Sequence, residues 1–393
     1  MNYILFDHNR TNLLPLTFTR PVAGIRIGIL TIKEKWEKYL GATASFLTED
    51  YLSEKYPAEY TIDEDNMWLN GSICPNPKLI EEITKLKRGQ ELVSGDVLIA
   101  RNSGDEKSFT DKANKSYEEF ESHAHALEIK NLWDIFSKNG EELQRDFDLI
   151  TKGRNSHVLS KTNQLINADN IFVEEGAKVE CAILNASTGC IYIGKDAEIM
   201  EGAIVRGPFS IGEYSTLKLG AKIYGPTTVG PHCKVGGEVN NSVIFGYSNK
   251  AHDGFLGNSV IGEWCNIGAD SNNSNLKNNY AEVKLWNYIS QKFENTGLTF
   301  CGLIMADHSK CGINTMFNTG TVVGVSANIF GAGFPRNFIA DFSWGGAAGF
   351  TTYKLKEAFD TAQLVMVRRE IPFSEADKNI LTKVFELTAK FRK

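Results

Sequence analysis

Eight apolar residues recur at a strict six-residue spacing between positions 193 and 235: Ile193, Ile199, Val205, Ile211, Leu217, Ile223, Val229 and Val235. A period of six suits neither an amphipathic helix nor an alternating strand. It is the mark of a hexapeptide solenoid, in which each repeat forms one short flat side of a coil and turns its apolar residue toward the axis. Glycine follows the apolar residue at Gly194, Gly212, Gly230 and Gly236. These glycines are expected to supply the tight backbone of the corners. A small residue stands four places after the apolar one at Ala197, Ala203, Ser215, Ala221, Thr227 and Cys233, where neighbouring coils must stack closely.

The period returns after shifts in register. Val243, Phe255, Ile261 and Ile267 continue it, with polar Asn249 in the intervening slot. Met305, Cys311, Phe317, Val323 and Ile329 form a third run, with Ser309, Thr315, Thr321 and Ala327 as its small residues. Between these runs, residues 274–299 obey no period and read as a loop projecting from a coil. A long loop in a regular solenoid points to function, because the coil does not need it for packing. A tolerated insertion is the alternative.

A chain of 393 residues calls for two domains. Hydrophobic residues make up 42%, enough for real cores, and the formal charge of −6 provides no basic field to draw the chain to nucleic acid or an anionic membrane. The start, MNYILFDHNR, is not a signal pattern, and no apolar run approaches the ~18 residues of a membrane span. The seven Cys show no paired metal-ligand spacing, and Cys233, Cys265 and Cys311 fall at or near coil positions. Free thiols and a cytoplasmic location are the expectation.

Residues 1–150 read as a mixed α/β domain with a linker helix. Strands are predicted at 3–6, 67–69 and 98–100, and a helix at 30–40 with Ile32, Trp36, Tyr39 and Leu40 on one side. Residues 104–122 are charged and read as an exposed excursion. Residues 132–150 read as helix, with Leu132, Trp133, Ile135, Phe136, Leu143 and Phe147 as its apolar stripe. The repeats occupy 165–346. Residues 353–393 return to helical spacing: one helix over 353–370, ended at Ile371 and Pro372, and a second over 374–391, opened by Ser374 and Asp377 as a cap. A helical tail there would cover the open edge of the last coil.

One stretch of the solenoid carries chemistry: NKAHDGFLGNSVIGEWCNIGADSNNSN, residues 249–275. Lys250 and Ala251 precede His252; Gly257 follows five residues later, then Ile261 and Gly262, then Asn266, Ile267, Gly268 and Ala269. This order resembles the acetyltransferase half of the bifunctional GlmU family (N-acetylglucosamine-1-phosphate uridyltransferase and glucosamine-1-phosphate acetyltransferase). The match from His252 to Ala269 needs no gap, with the Lys-Ala pair offset by one residue. The SNLKNNY…KLWNY loop and the GFPRNF segment resemble a Bacteroidetes-type, GlmU-like subgroup.

The resemblance implies a left-handed parallel β-helix, a homotrimer, acetyl-CoA as acyl donor and an amino sugar phosphate as acceptor, within UDP-N-acetylglucosamine biosynthesis. It implies His252 as general base, since a neutral imidazole near pH 7 can take the proton of an attacking amine. A backbone N–H at a coil turn would meet the thioester oxygen as it gains charge. Asn266, Asn275 and Glu238 match polar positions of the family's sugar site. A Lys that the family uses for the sugar phosphate falls on Asn240, and an aromatic hydroxyl position falls on Phe255. An acceptor other than glucosamine-1-phosphate therefore also fits. Arg336, in GFPRNF, offers a guanidinium to a CoA phosphate; a solvated arginine is the alternative. His308, beside Asp307, is a rival base.

The run LLPLTFTRPVAGIRIG, residues 13–28, resembles the start of sugar-nucleotide pyrophosphorylases. Pro15, Leu16 and Thr17 are in place, as are Arg20 and Pro21. The family's Gly-rich loop after the first strand is replaced by Asp7-His8-Asn9-Arg10-Thr11-Asn12, and Val22 stands where a Lys is expected. The resemblance implies nucleotide phosphates facing Arg20, with Arg10 and Arg26 as substitute contacts. Asp96, in VSGDVLIA, matches a Gly-Asp that holds Mg²⁺ in that family; a hairpin turning at Ser94 and Gly95 is the plainer reading.

Three functions remain open at this point. The first is an acetyl-CoA-dependent transferase acting on the solenoid. The second is a sugar-1-phosphate nucleotidyltransferase using UTP or dTTP, with Mg²⁺, in the amino-terminal domain. The third is a non-catalytic sugar-nucleotide-binding or scaffold protein.

Overall fold

The six-residue repeat folds as a parallel β-solenoid whose strands stack into long faces. Face 1 holds Gln164–Ile166, Ile183–Asn185, Ile204–Arg206, Lys222–Tyr224, Glu238–Asn240 and Phe255–Gly257. Face 2 is a nine-stranded sheet from Ile171–Val173 to Phe338–Ile339, and face 3 a ten-stranded sheet starting at Lys178–Val179. Neighbouring coils pair in register, so that Ile193 faces Ile211 and Ile211 faces Val229. The inward residues therefore stack through the coils, and their burial is what holds the solenoid together. Each such aliphatic side chain stabilises the fold by about 1.5–3 kcal/mol. This is a computed structural model; it describes residues 1–62, 64–104, 109 and 117–392.

From 193 to 235 the inward residues are those named by the period. Past Gly236 the turns shorten and the register moves by one. The inward residues become Val239, Ile244, Lys250 and Leu256, set by their pairing with Ile223, Val229, Val235 and Val239. Val243, Asn249 and Phe255, expected in those slots, are not in them. The period resumes at Ile261 and Ile267, and the run Met305, Cys311, Phe317, Val323, Ile329 points inward as read from sequence.

The glycines after the apolar residue serve close approach rather than corner geometry. A Cβ on Gly212 would lie 2.6 Å from Pro231 N, and one on Gly230 would lie 1.7 Å from the Phe245 carbonyl oxygen. The left-handed backbone between faces 2 and 3 falls two residues later, on Asp196, Tyr214, His232, Tyr247, Trp264, His308, Ser326 and Phe342. Five of these form a ring stack along the corner. Tyr214 lies 5.1 Å from His232, His232 4.9 Å from Tyr247, Tyr247 4.3 Å from Trp264, and Trp264 6.3 Å from His308.

The aperiodic segment folds back on the solenoid instead of projecting. It leaves between face 1 and face 2 and forms an antiparallel hairpin, Lys284–Asn287 with Lys292–Asn295. Trp286 stacks on Phe338 at 4.3 Å, and the Tyr288 hydroxyl donates to the buried Asp341 carboxylate at 2.7 Å. Burial pushes the Asp341 carboxyl up to about 6. The helical tail is present as Leu355–Val367 and Glu375–Leu387, the second opened by the expected Ser374–Asp377 capping box. The tail reaches further than the last coil: Arg369 donates to Asn249 on face 3, while Phe385 packs edge-on against Phe342 at the end.

The chain divides into two compact units. The first comprises Met1–Leu13, Thr19–Ile25 and Leu30–Asn131; the second comprises Leu14–Phe18, Arg26–Ile29 and Leu132–Lys393. Within the second, the helix Asn139–Thr151 lies on face 2, where Thr228 donates to Gly28 O at 2.8 Å and Asn139 donates to Pro226 O at 3.1 Å. The single helix read over 132–150 is broken at Lys138, after the turn Asp134–Ser137.

The first unit is built on a six-stranded sheet. Its strands are β1 (Asn2–Phe6), β2 (Ala44–Leu47) and β3 (Asn66–Asn70), followed, past a short β4 (Ile73–Cys74), by β5 (Gln90–Ser94), β6 (Val97–Ser103) and β7 (Glu118–Glu121). The order is β2-β1-β3-β6-β5-β7, with β1 parallel to both neighbours. The helix Ile32–Leu40 carries a Thr31–Glu34 capping box and buries Ile32 and Trp36. Part of the charged excursion, residues 105–108 and 110–116, lies outside the described residues; its end forms the exposed edge strand β7. Among the described residues no helix is long and apolar enough to cross a membrane.

Candidate functional site

The solenoid site forms where face 3 turns into face 1. One coil makes this turn with Gly236 and Gly237; the next makes it with Ala251, His252, Asp253 and Gly254. Four residues is the usual length of this corner, as at 218–221 and 268–271, so the turn at Gly236 and Gly237 is the shortened one; His252 and Asp253 are exposed at the middle of theirs. Glu238 opens the neighbouring face 1 strand, paired with Phe255, and Asn240 closes it, paired with Gly257. Glu238 accepts from the Tyr224 hydroxyl at 2.6 Å, and this bond holds that phenol up at about 12. His252, Glu238 and Asn240 thus share one corner and one face.

The other residues chosen from sequence are more scattered. Asn266 is exposed on face 3, one coil further and paired with Asn249. Asn275 stands at the start of the inserted segment and donates to Asn258 Oδ1 at 2.8 Å. Arg336 is exposed beside a cavity of about 190 Å³ that also touches Phe338, Ser343, Phe350, Phe391 and Arg392. It lies three coils beyond His252, a rise of roughly 15 Å at the spacing of neighbouring strands. His308 belongs to the ring stack on the corner between faces 2 and 3.

Sequence reasoning missed what Lys250 does. It fills the inward slot above Val235 and is 3% exposed. Burial pulls its ammonium down from the usual 10.5 to about 8. Below pH 8 both folded and unfolded chains carry this proton, and the folded chain bears the whole burial cost. That cost is relieved as pH rises from about 8 to 10.5. Relative to a Lys250→Met variant, the wild-type chain should gain about 3 kcal/mol of stability across that interval. Urea unfolding of both chains at pH 7 and pH 10.5 measures the difference, and parallel pH dependences would refute it. The available signal was the shortened turn at Gly236, which moves Lys250 into register with Val235.

The first unit has a second candidate site at the carboxyl ends of β1 and β3. The chain leaves β1 toward β2 on one side and β3 lies on the other, which is the switch point where open α/β sheets hold ligands. His8 Nε2 lies 3.5 Å from Glu128, Asn9 donates to the same carboxylate at 2.7 Å, and Lys130 pairs with it at 3.1 Å. Arg10 is buried behind this edge. It donates to Asp7 at 3.0 Å, to Arg20 O at 3.1 Å and to the Tyr51 hydroxyl at 2.8 Å. Arg20 is buried in the same unit. Arg26 belongs to the second unit, where it donates to the Phe245 carbonyl at 3.0 Å.

Asp96 and Gly95 form the two-residue turn of the β5–β6 hairpin, whose tip lies at the edge where β3 ends. Among the described residues no group of three or more His, Cys, Asp or Glu side chains is placed to hold a metal ion. Glu121 accepts from Gly95 N at 3.0 Å, so a second carboxylate stands at the Asp96 turn.

Residues 3–155 match the family model described as sugar nucleotidyl transferase. No curated protein matches the chain. Among solved structures, 58 chains match. One is the Arabidopsis UDP-N-acetylglucosamine acyltransferase, 15% identical over 60% of this chain and 82% of that one, with a TM-score of 0.26. Another is a point mutant of AntD, an N-acyltransferase from Bacillus cereus in complex with dTDP and coenzyme A. It is 12% identical over 53% of this chain and 88% of that one, with a TM-score of 0.19. At such values the likeness bears on neither activity nor ligand.

Proposed function

We propose that the chain is a transferase of sugar-nucleotide biosynthesis whose solenoid moves an acetyl group from acetyl-CoA to the amine of an amino sugar phosphate. The observation that carries this reading is the corner at 251–254, which sets an exposed His252 next to the shortened turn at Gly236 and Gly237 and the strand that carries Glu238 and Asn240. The amine nitrogen bonds to the thioester carbonyl carbon, the carbon–sulfur bond breaks, and His252 takes the amine proton and passes it to the departing thiolate. Asn240, Glu238, Asn266 and Asn275 would bind the acceptor, and Arg336 a CoA phosphate. The separation between Arg336 and His252 suits an extended pantetheine arm. We place the working enzyme in a homotrimer in the cytoplasm.

A second reading has its own support in the family match over residues 3–155 and in the polar cluster at the β1–β3 switch point. Here the first unit transfers a nucleotidyl group from UTP or dTTP to a sugar-1-phosphate, with Arg10 and Arg20 as nucleotide contacts. Asp96 would be the carboxylate that holds a Mg²⁺, and the ion would supply screening of the phosphates.

One assay separates the readings. Wild-type protein is given acetyl-CoA and a panel of amino sugar phosphates while free thiol is followed, and in parallel UTP or dTTP with sugar-1-phosphates while pyrophosphate is followed. Thiol release that depends on one acceptor is the expected result. Pyrophosphate release alone would replace the first reading with the second, and silence in both would leave a binding or scaffold role.

A further inference from the structure

The third side of the solenoid is not one continuous sheet. Face 1 ends at Phe255–Gly257, and the next strand on that side, Asn272–Asn273, belongs to a separate sheet with Met316–Phe317. Side chains replace the ladder across this seam. Asn272 Oδ1 accepts from Phe255 N at 2.7 Å, Asn273 Oδ1 accepts from Gly257 N at 2.9 Å, and Asn273 Nδ2 donates to Gly257 O at 3.1 Å. Asn273 is 4% exposed, in contact with the solenoid interior.

Lys250 completes the grip from the other end. Its Nζ donates to Gly236 O at 3.0 Å and to His252 O at 2.7 Å, tying the two-residue corner to the four-residue one that follows. Lys250 and Asn273 line one small, half-open cavity of about 10 Å³, with Phe255, Leu256, Ser271 and Phe317. That is about the room of a single water. The neighbouring inward slots hold Val235, Leu256, Ile267 and Phe317. An apolar residue in place of the lysine would spare the chain a buried charge. Each of the two polar residues places at least one hydrogen bond on the backbone of one short segment, residues 252–257.

We infer that Lys250, with Asn273, is a positioning residue: from inside the coil its ammonium fixes the corner that presents His252 outside. The inference rests on the reading of His252 as general base. It is tested in the full chain with Lys250→Met and, independently, Asn273→Leu, by amide hydrogen exchange and by acetyl-transfer kinetics. In Lys250→Met, exchange over residues 251–257 should quicken by about tenfold while the other coils keep wild-type protection. In the same variant kcat should fall about tenfold, with KM for acetyl-CoA within about twofold, the signature of a displaced base rather than a lost binding contact. Wild-type exchange and wild-type kcat in a folded Lys250→Met chain overturn the inference. Were Lys250→Met not to fold, Asn273→Leu would decide by the same readouts. If wild-type protein transfers no acetyl group, the proposed function has failed, and the exchange arm alone supports or overturns the internal grip.

Discussion

His252→Ala is expected to lower acetyl transfer by about 10²–10⁴-fold, the usual contribution of a general base. The imidazole is exposed and makes no hydrogen bond or ion pair with the described residues, so its removal leaves nothing buried without a partner. Stability should stay within about 0.5 kcal/mol of wild type, as for other surface substitutions. Added imidazole should restore part of the rate, since the truncation leaves space at the corner. The measurement is thiol release from acetyl-CoA beside a thermal unfolding curve. An unchanged rate in a folded variant would remove His252 from the chemistry. His308 would not simply inherit the role, because it is engaged in the ring stack on a different corner.

Gly230→Ala should cost about 4 kcal/mol, at the severe end for one methyl group. The added Cβ would stand 1.7 Å from the Phe245 carbonyl oxygen and 2.5 Å from its carbon. Those atoms are backbone, and the next strand is anchored by the bond from Gly230 N to Ile244 O at 2.8 Å. One coil cannot move away without breaking the ladder. Gly220→Ala is the control. Its φ of +68° is left-handed, but no atom lies within 4 Å of the new methyl, so only the conformational cost of about 1 kcal/mol applies. Equal losses for the two, read from urea unfolding, would show that coil contact is not the reason for glycine at 230.

The solenoid was legible because its inward residues repeat along the chain. Val205, Ile211 and Leu217 name themselves by spacing. The reading went astray where a turn lost residues: after Gly236 the true inward residue is Lys250, and a polar residue cannot advertise itself as core. The corner glycines were assigned the wrong task because close approach between coils is a relation across 15 or so residues that no local pattern reveals. The inserted segment's hairpin depends on Trp286 and Tyr288 meeting the last coils, a tertiary contact. At the candidate site, His252 and Glu238 were singled out through motif order, whereas the bonds of Lys250 and Asn273 to that corner lie inside the coil.

The ring stack also says where the information for a residue resides. Tyr214, His232, Tyr247, Trp264 and His308 all occupy left-handed backbone that bulky L residues ordinarily avoid. Nothing in Gly246 or Ser248 asks for an aromatic at 247; Trp264 on one side and His232 on the other do. Along this corner the grammar of the protein runs vertically. Substitutions there will be tolerated or refused according to letters a whole coil away, and a change at one ring invites a matching change in the coils above and below it.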